Sequence, residues 1–374
     1  MEKTKRQSNF ELLRIFAIIL IVLGHIQQHG SKPILIADNG YFAQPIIYLR
    51  LLVFEIGAIF GAIGNGLFIM ISGYFMNAND RIDTGKIAKK MLLQLGFATI
   101  ILMAAYSVCI TFFANETFTW DSITIEIFNN SNWWFIGYYF LIIIIAKVFL
   151  NGFTAKLTQN QFRSLLLTAL AVSQFGWIGD LLDGLTYGLR NLTVGIFYFL
   201  MGGYIARYNP FKNLRAYTFI LAIAAAYGAR FLSQYNIVSQ SIDAFTKSTQ
   251  DGLLNFHQSV QSGLSYQIAA VVIAICLFEL FRRLAVSYNA EINFIGKSTL
   301  MIYMLHENNF FQCFYRNDSW MEALSSSVLA YCLKWFKWAA VAFAVGVTAF
   351  ALYTLLGKLL PRMRPLFATR DSSE

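Results

Sequence analysis

Charge is what this 374-residue chain has least of: only 13% of its residues are Asp, Glu, Lys or Arg, about half the share usual in a soluble domain. Hydrophobic residues make up 57% and the mean hydropathy is +0.53, so a soluble globular fold is excluded on bulk numbers and an integral membrane protein is implied. Proline is scarce, at 5 residues, and few apolar runs are interrupted by it. Four cysteines in a chain this long exclude a disulfide framework. Cys109 and Cys276 fall inside apolar spans and read as small core residues, while Cys313 and Cys332 flank the last outer loop and could meet. No internal repeat, soluble domain or long tethering linker is recognisable, so residues 1–374 are expected to form a single transmembrane domain. The N-terminus carries Lys3, Lys5 and Arg6 before an apolar run, as a signal peptide does. Glu11 and Arg14 interrupt that run and no small-x-small cleavage site follows, so it is kept as the first helix.

What is present is a series of long apolar segments. Windows of about 19 residues give roughly ten spans, at 10–27, 51–76, 91–113, 134–150, 164–180, 191–207, 216–235, 263–281, 297–314 and 335–357. The expected fold is an all-α integral membrane protein of about ten transmembrane helices. Twenty of the 29 basic residues fall in one alternating set of connections and eight in the other, with Arg14 inside the membrane. By the positive-inside rule both termini are expected to be cytoplasmic. The net charge of +9 is therefore a topology signal, and nucleic acid is not an expected partner. The outer connections carry the acids, among them Glu116, Asp121, Glu126, Asp180, Asp183, Glu307, Asp318 and Glu322. Loops of that kind can cover a polar substrate or simply be solvated.

The first span, FELLRIFAIILIVLGHIQ, carries Arg14 and His25. A charged residue in a span costs about 2.5–3.5 kcal/mol on insertion scales and usually faces a polar interior, a partner or the interface. Eleven residues at about 100° each return to the same stripe of a helix, roughly 16 Å further along. One face thus offers a fixed cation near the cytoplasmic boundary and a titratable imidazole near the outer one. The plainer alternative has Arg14 paired with Glu11 at i,i+3 and His25 as an interfacial residue.

Further stretches can carry chemistry. The second span contains Asn65 and Ser72 on one face, with Gly57, Gly61 and Gly64 allowing close helix approach. Ser72 and Tyr74, in SGYF near the cytoplasmic boundary, are candidates for lining a site. In KIAKK, Lys86, Lys89 and Lys90 share a helical face, which either anchors the protein or docks the phosphates of a nucleotide-bearing donor. Trp133 and Trp134 open the fourth span as an aromatic belt would, and an aromatic face such as that of Trp134 also stacks on sugar rings. The ninth span contains Tyr303 and ends at His306-Glu307, a His with a neighbouring acid, suited to general acid–base work or to the outer interface.

Five segments together carry a family resemblance: NFELLRIFAIILIVLGHI, FIMISGYFM, WWFIGYYFLI, FYFLMGGYIARY and FIGKSTLMIYMLHENN. The chain resembles the acyltransferase family 3 membrane proteins, especially the compact forms that O-acylate bacterial cell-surface polysaccharides, over nearly its whole length. The resemblance implies about ten membrane helices and transfer of an acyl group, usually acetyl, from cytoplasmic acyl-CoA to a hydroxyl of an extracytoplasmic glycan. It carries functional roles to Arg14 and His25 by motif, and to Ser72 and Tyr74. Many relatives have an arginine-rich cluster after the second span, where this chain has Lys86, Lys89 and Lys90. The hydrolase-like domain fused to some relatives is not seen here, so a second transfer step would need a separate extracytoplasmic transferase partner.

The expectation is a multi-pass membrane O-acyltransferase of the bacterial cytoplasmic membrane using acyl-CoA and no metal. Arg14 with Ser72, Tyr74, Lys86, Lys89 and Lys90 would bind the donor, and Trp134 and Glu307 the glycan. His25, as base or acyl carrier, would act with His306 and Arg14. The competing class is a transporter or flippase of a glycan or lipid-linked sugar, in which Arg14 and His25 would be substrate or proton-coupling residues.

Overall fold

A computed structural model describes residues 7–31, 57–77, 82–114, 133–175, 186–247 and 264–359. The acids expected at positions 116, 121, 126, 180 and 183 lie outside those residues. Every element among the described residues is helical. In chain order they are α1 (Ser8–His25), α2 (Phe60–Met76), α3 (Thr84–Cys109), α4 (Trp134–Ile145), α5 (Asn151–Ala155), α6 (Gln159–Phe175), α7 (Thr186–Tyr208), α8 (Ala216–Lys247), α9 (Leu264–Arg282), α10 (Ala290–His306), α11 (Asn309–Arg316), α12 (Trp320–Ser326) and α13 (Val328–Leu359). Three α-helices run on into wider π-helical turns, at Ile26–Ser31, Ile110–Ala114 and Ala146–Leu150. Five continuous helical stretches are long and apolar enough to cross a bilayer: Ser8–Ser31, Thr84–Phe112, Trp134–Ala155, Ala216–Ser233 and Val328–Leu359. Together with the abundance of exposed Leu, Phe, Ile and Val side chains on them, this is the construction of a membrane protein.

The chain divides into two compact units. The first comprises Met1–Ile34, Asp83–Gly137 and Val286–Glu374. In it α10 is the central element, packed by α1, α3 and α13. Small residues set the spacing: a Cβ on Gly296 of α10 would run into the Glu11 carboxylate of α1, and one on Gly346 of α13 would meet Ile302. Trp335 of α13 donates its indole N–H to the Leu23 carbonyl at 2.8 Å, fixing the end of α1 that carries His25.

The second unit comprises Leu35–Ile82 and Tyr138–Ala285. Its tightest pair is α2 on α7, where a Cβ on Gly73 would collide with the Phe199 carbonyl and one on Gly202 with the Met70 carbonyl. Of the three glycines expected to allow close approach, Gly61 makes no such contact among the described residues, since a Cβ at that position meets none of them within 4 Å. Close approaches lie further along α2, at Gly66 against the Tyr198 ring and at Gly73.

The span expected at 297–314 is not one helix. Helix α10 begins at Ala290, where Asn289 caps the Ile292 N–H at 2.8 Å, and ends at His306. Asn308 then caps α11, its side chain accepting from the Phe310 N–H at 3.0 Å. Asn favours such a cap over continuing a helix, because its short side chain competes for backbone N–H groups. The break puts Glu307 outside both helices with its carboxylate buried. All four cysteines are thiols, so Cys313 and Cys332 are not joined.

Candidate active site

The first unit gathers four groups that sequence periodicity alone would scatter: His25 at the end of α1, His29 in the π-turn that follows, and His306-Glu307 at the end of α10. Their side chains are 9%, 20%, 1% and 1% exposed respectively. A carboxylate so deeply buried must be compensated by partners. Three imidazoles face Glu307: its Oε2 lies 2.5 Å from His25 Nδ1 and 3.7 Å from His306 Nε2, and its Oε1 lies 3.5 Å from His29 Nε2.

The proton positions follow from the donors and acceptors. His306 Nδ1 is 2.8 Å from the Ile302 carbonyl, which only accepts, so Nδ1 carries a hydrogen and a neutral His306 presents the lone pair of Nε2. That Nε2 faces His25 Nδ1 at 3.0 Å. Glu307 Oε2 and His306 Nε2 both face His25 Nδ1, which therefore carries the hydrogen and donates it to His306 Nε2, with the carboxylate oxygen beside it as counter-charge. The tautomer is inferred from this network. It leaves His25 Nε2 as the lone pair available to a substrate, the arrangement by which an acid orients a histidine base.

The surroundings hold these rings in place. His25 and His306 stack with centroids 5.2 Å apart, and the Tyr303 ring packs on both, at 6.4 and 5.8 Å. Tyr303 accepts a 3.3 Å bond from the Phe135 N–H, and Trp133 donates to the Met304 carbonyl at 2.8 Å, so the start of α4 is tied to this stretch of α10. The Gln312 amide donates to the Glu307 carbonyl at 3.3 Å.

Ligand atoms of His25, His306 and Glu307 lie within 4.8 Å of one another, close enough to gather round an ion. The 2.5 Å separation of His25 Nδ1 from Glu307 Oε2 is shorter than the spacing of two ligands on such an ion. Two ligands of a tetrahedral cation with bonds of about 2.0 Å stand roughly 3.3 Å apart.

The other sequence candidates are placed as follows. Arg14 bonds Glu11 on its own helix at 2.7 Å, with its side chain 29% exposed. Lys86, Lys89 and Lys90 lie exposed in the first two turns of α3, whose N-terminus Asp83 caps by accepting from the Lys86 N–H at 2.9 Å. Trp134 is half exposed, edge-on to Phe135. Ser72 and Tyr74 belong to the second unit. Ser72 bonds Tyr139 at 2.9 Å and its own Phe68 carbonyl at 3.1 Å. Tyr74 packs on Phe278 and bonds Arg282, which reaches Glu279 through two bonds of 3.0 and 2.9 Å.

Sequence reasoning missed one buried and one partly exposed group. Glu279 is fully buried and also holds Arg283 at 3.1 Å; an acid three and four residues before two arginines was the signal. His29 was the other, and its i,i+4 spacing from His25 was the clue.

Residues 7–357 match a family model described as an acyltransferase domain, nearly the whole chain. No curated protein and no solved structure matches.

Proposed function

The chain belongs to the acyltransferase family 3, and from that we propose that it is a membrane O-acyltransferase moving an acyl group, most simply acetyl, from acyl-CoA on the cytoplasmic side to a hydroxyl of an extracytoplasmic cell-surface glycan. The observation that carries the reading is the buried contact of His25 Nδ1 with Glu307, which leaves the far nitrogen of the ring as a base. The proposal includes about ten membrane helices, both termini in the cytoplasm and a bacterial cytoplasmic membrane.

In this reading the donor enters from the cytoplasmic end of α1. A guanidinium has five N–H donors and the Glu11 contact engages one nitrogen, so Arg14 retains donors for the anionic part of the donor. Lys86, Lys89 and Lys90 supply positive potential at that surface. The thioester reaches His25 Nε2. As the acceptor oxygen attacks the thioester carbon, His25 takes its proton, a C–O bond forms, the C–S bond breaks and the thiol leaves. Glu307 stabilises the imidazolium, and His306 accepts from the same Nδ1–H and limits rotation of the ring. In the two-step version His25 Nε2 itself carries the acyl group before the hydroxyl attacks. Trp134, half exposed, is the stacking surface assigned to the acceptor sugar.

The test is donor consumption by purified protein in liposomes given acetyl-CoA and a cell-wall glycan fraction. Glycan-dependent release of free thiol supports acyl transfer, and movement of glycan without thiol release supports a transporter.

A further inference from the structure

We propose that Gln94 of α3, with Asn293 of α10, holds the amide groups of the donor's pantetheine arm. The inference deepens the acyl-transfer reading and rests on it. The arm of acyl-CoA carries two secondary amides, each with an N–H that donates and a C=O that accepts. A primary carboxamide side chain offers the same pair and can meet such an amide on both atoms.

Gln94 is fully buried, yet neither its Oε1 nor its Nε2 has a hydrogen-bond partner among the described residues. It shares the inward face of α3 with Met91, Ala98 and Leu102, while Leu92 and Ile100 are exposed on the other side. The amide is therefore turned into the first unit and away from lipid. Asn293 repeats the pattern: it is buried, its Oδ1 accepts from Ser8 at 3.3 Å, and its Nδ2 has no partner among the described residues. A buried amide left unpaired forfeits its bonds to water, and proteins keep few of them, so both side chains call for a partner from outside the chain.

Contacts place the two amides at the same end of the unit, the one opposite His25. Phe97, one turn beyond Gln94, packs on Tyr353 of α13 with ring centroids 5.4 Å apart. Tyr353 stacks on Phe350 at 6.1 Å, and Phe350 packs at 5.4 Å on Phe294, the neighbour of Asn293. One turn further along α10, Gly296 lies against the Glu11 carboxylate that bonds Arg14. Lys90 stands one turn before Gln94 on the same stripe of α3, about 6 Å nearer the start of the helix. A donor whose phosphates lie near Lys90 thus brings its arm to the level of Gln94.

The experiment titrates two ligands into wild type, Gln94→Leu and Gln94→Met in detergent: acetyl-CoA, and phospho-ADP, which is its nucleotide portion without the arm. Thermal unfolding without ligand establishes that each variant is folded. Leu and Met nearly keep the volume of Gln and remove both polar atoms, and since Gln94 has no bond to lose among the described residues, each variant should melt at or above the wild-type temperature. The arm contact predicts acetyl-CoA binding about tenfold weaker in both variants with phospho-ADP binding unchanged. Equal weakening of both ligands would show a general effect on the fold of the site and overturn the inference. Unchanged affinity for both would mean that buried water satisfies the amide, and would overturn it equally. Absence of acetyl-CoA binding by folded wild type would instead overturn the acyl-transfer reading, and the inference with it.

Discussion

His25 Nδ1 and Glu307 Oε2 lie 2.5 Å apart, joining the end of the first helix to the break that follows α10. Both groups are buried, so the pair works in a low-dielectric setting where a carboxylate orients a neighbouring imidazole strongly. The chemistry of the candidate site depends on that contact.

Replacing Glu307 with Gln keeps the shape and removes the charge. Turnover is expected to fall by about tenfold or more with little change in donor KM, because the imidazolium formed in the reaction loses its counter-charge. Steady-state thiol release at varied acyl-CoA checks this. A rise in KM alone would assign Glu307 to binding.

His306→Ala removes the second acceptor on His25 Nδ1 and a ring stacked at 5.2 Å. The account expects an intermediate loss of turnover, smaller than that of His25→Ala, from a base still oriented by Glu307. A loss as complete as that of His25→Ala would make His306 the base.

Arg14→Ala tests the donor end. Acyl-CoA affinity should fall, and because the buried Glu11 loses its 2.7 Å partner the variant is first shown to be folded in detergent. Calorimetric or fluorescence titration with acyl-CoA measures it, and unchanged affinity would remove Arg14 from the site.

Gly73 tests the packing of the second unit. Gly73→Leu forces a side chain onto the Phe199 carbonyl, so it should cost at least about 1–3 kcal/mol and lower the Tm in detergent. Gly61→Leu, on the same helix with none of the described residues within 4 Å, is the control and should leave the Tm nearly unchanged.

Asp318, between α11 and α12, gives a pH dependence of stability. Partial burial opposes its ionisation, but bonds from Lys334 at 2.9 Å, Trp338 at 2.6 Å and the Ser319 N–H at 2.8 Å outweigh this and hold its carboxyl well below the usual value of 3.8. A depressed folded value means the stabilisation is complete above about 3.8 and is lost as the pH falls through the lower folded value. Asp318→Asn should therefore lower the Tm at neutral pH, and the gap to wild type should close on acidification below that window.

The helical membrane architecture was legible because a shortage of charge and long apolar runs leave a chain few other ways to satisfy its backbone. His25 and the His306-Glu307 pair were also legible, as titratable groups in apolar surroundings. Their meeting was not, because the apolar run at 297–314 hides the break that Asn308 makes, and only that break turns Glu307 inward. His29 was hidden for a related reason: no composition signal marks where an α-helix widens to a π-turn. Of the two readings of Arg14, the structure contains the Glu11 pair that i,i+3 spacing suggested. On α2 the close approaches fall at Gly66 and Gly73 and not at Gly61, since a sequence shows which residues are small and not which face a partner helix covers.

The most direct measurement is thiol release from acetyl-CoA in liposomes with a cell-wall glycan fraction, wild type against His25→Ala, each shown to be folded. The account predicts glycan-dependent release by wild type and a loss of at least about 10²-fold in the variant. Near-normal release by folded His25→Ala would contradict the central claim that this imidazole, held by Glu307, performs the transfer.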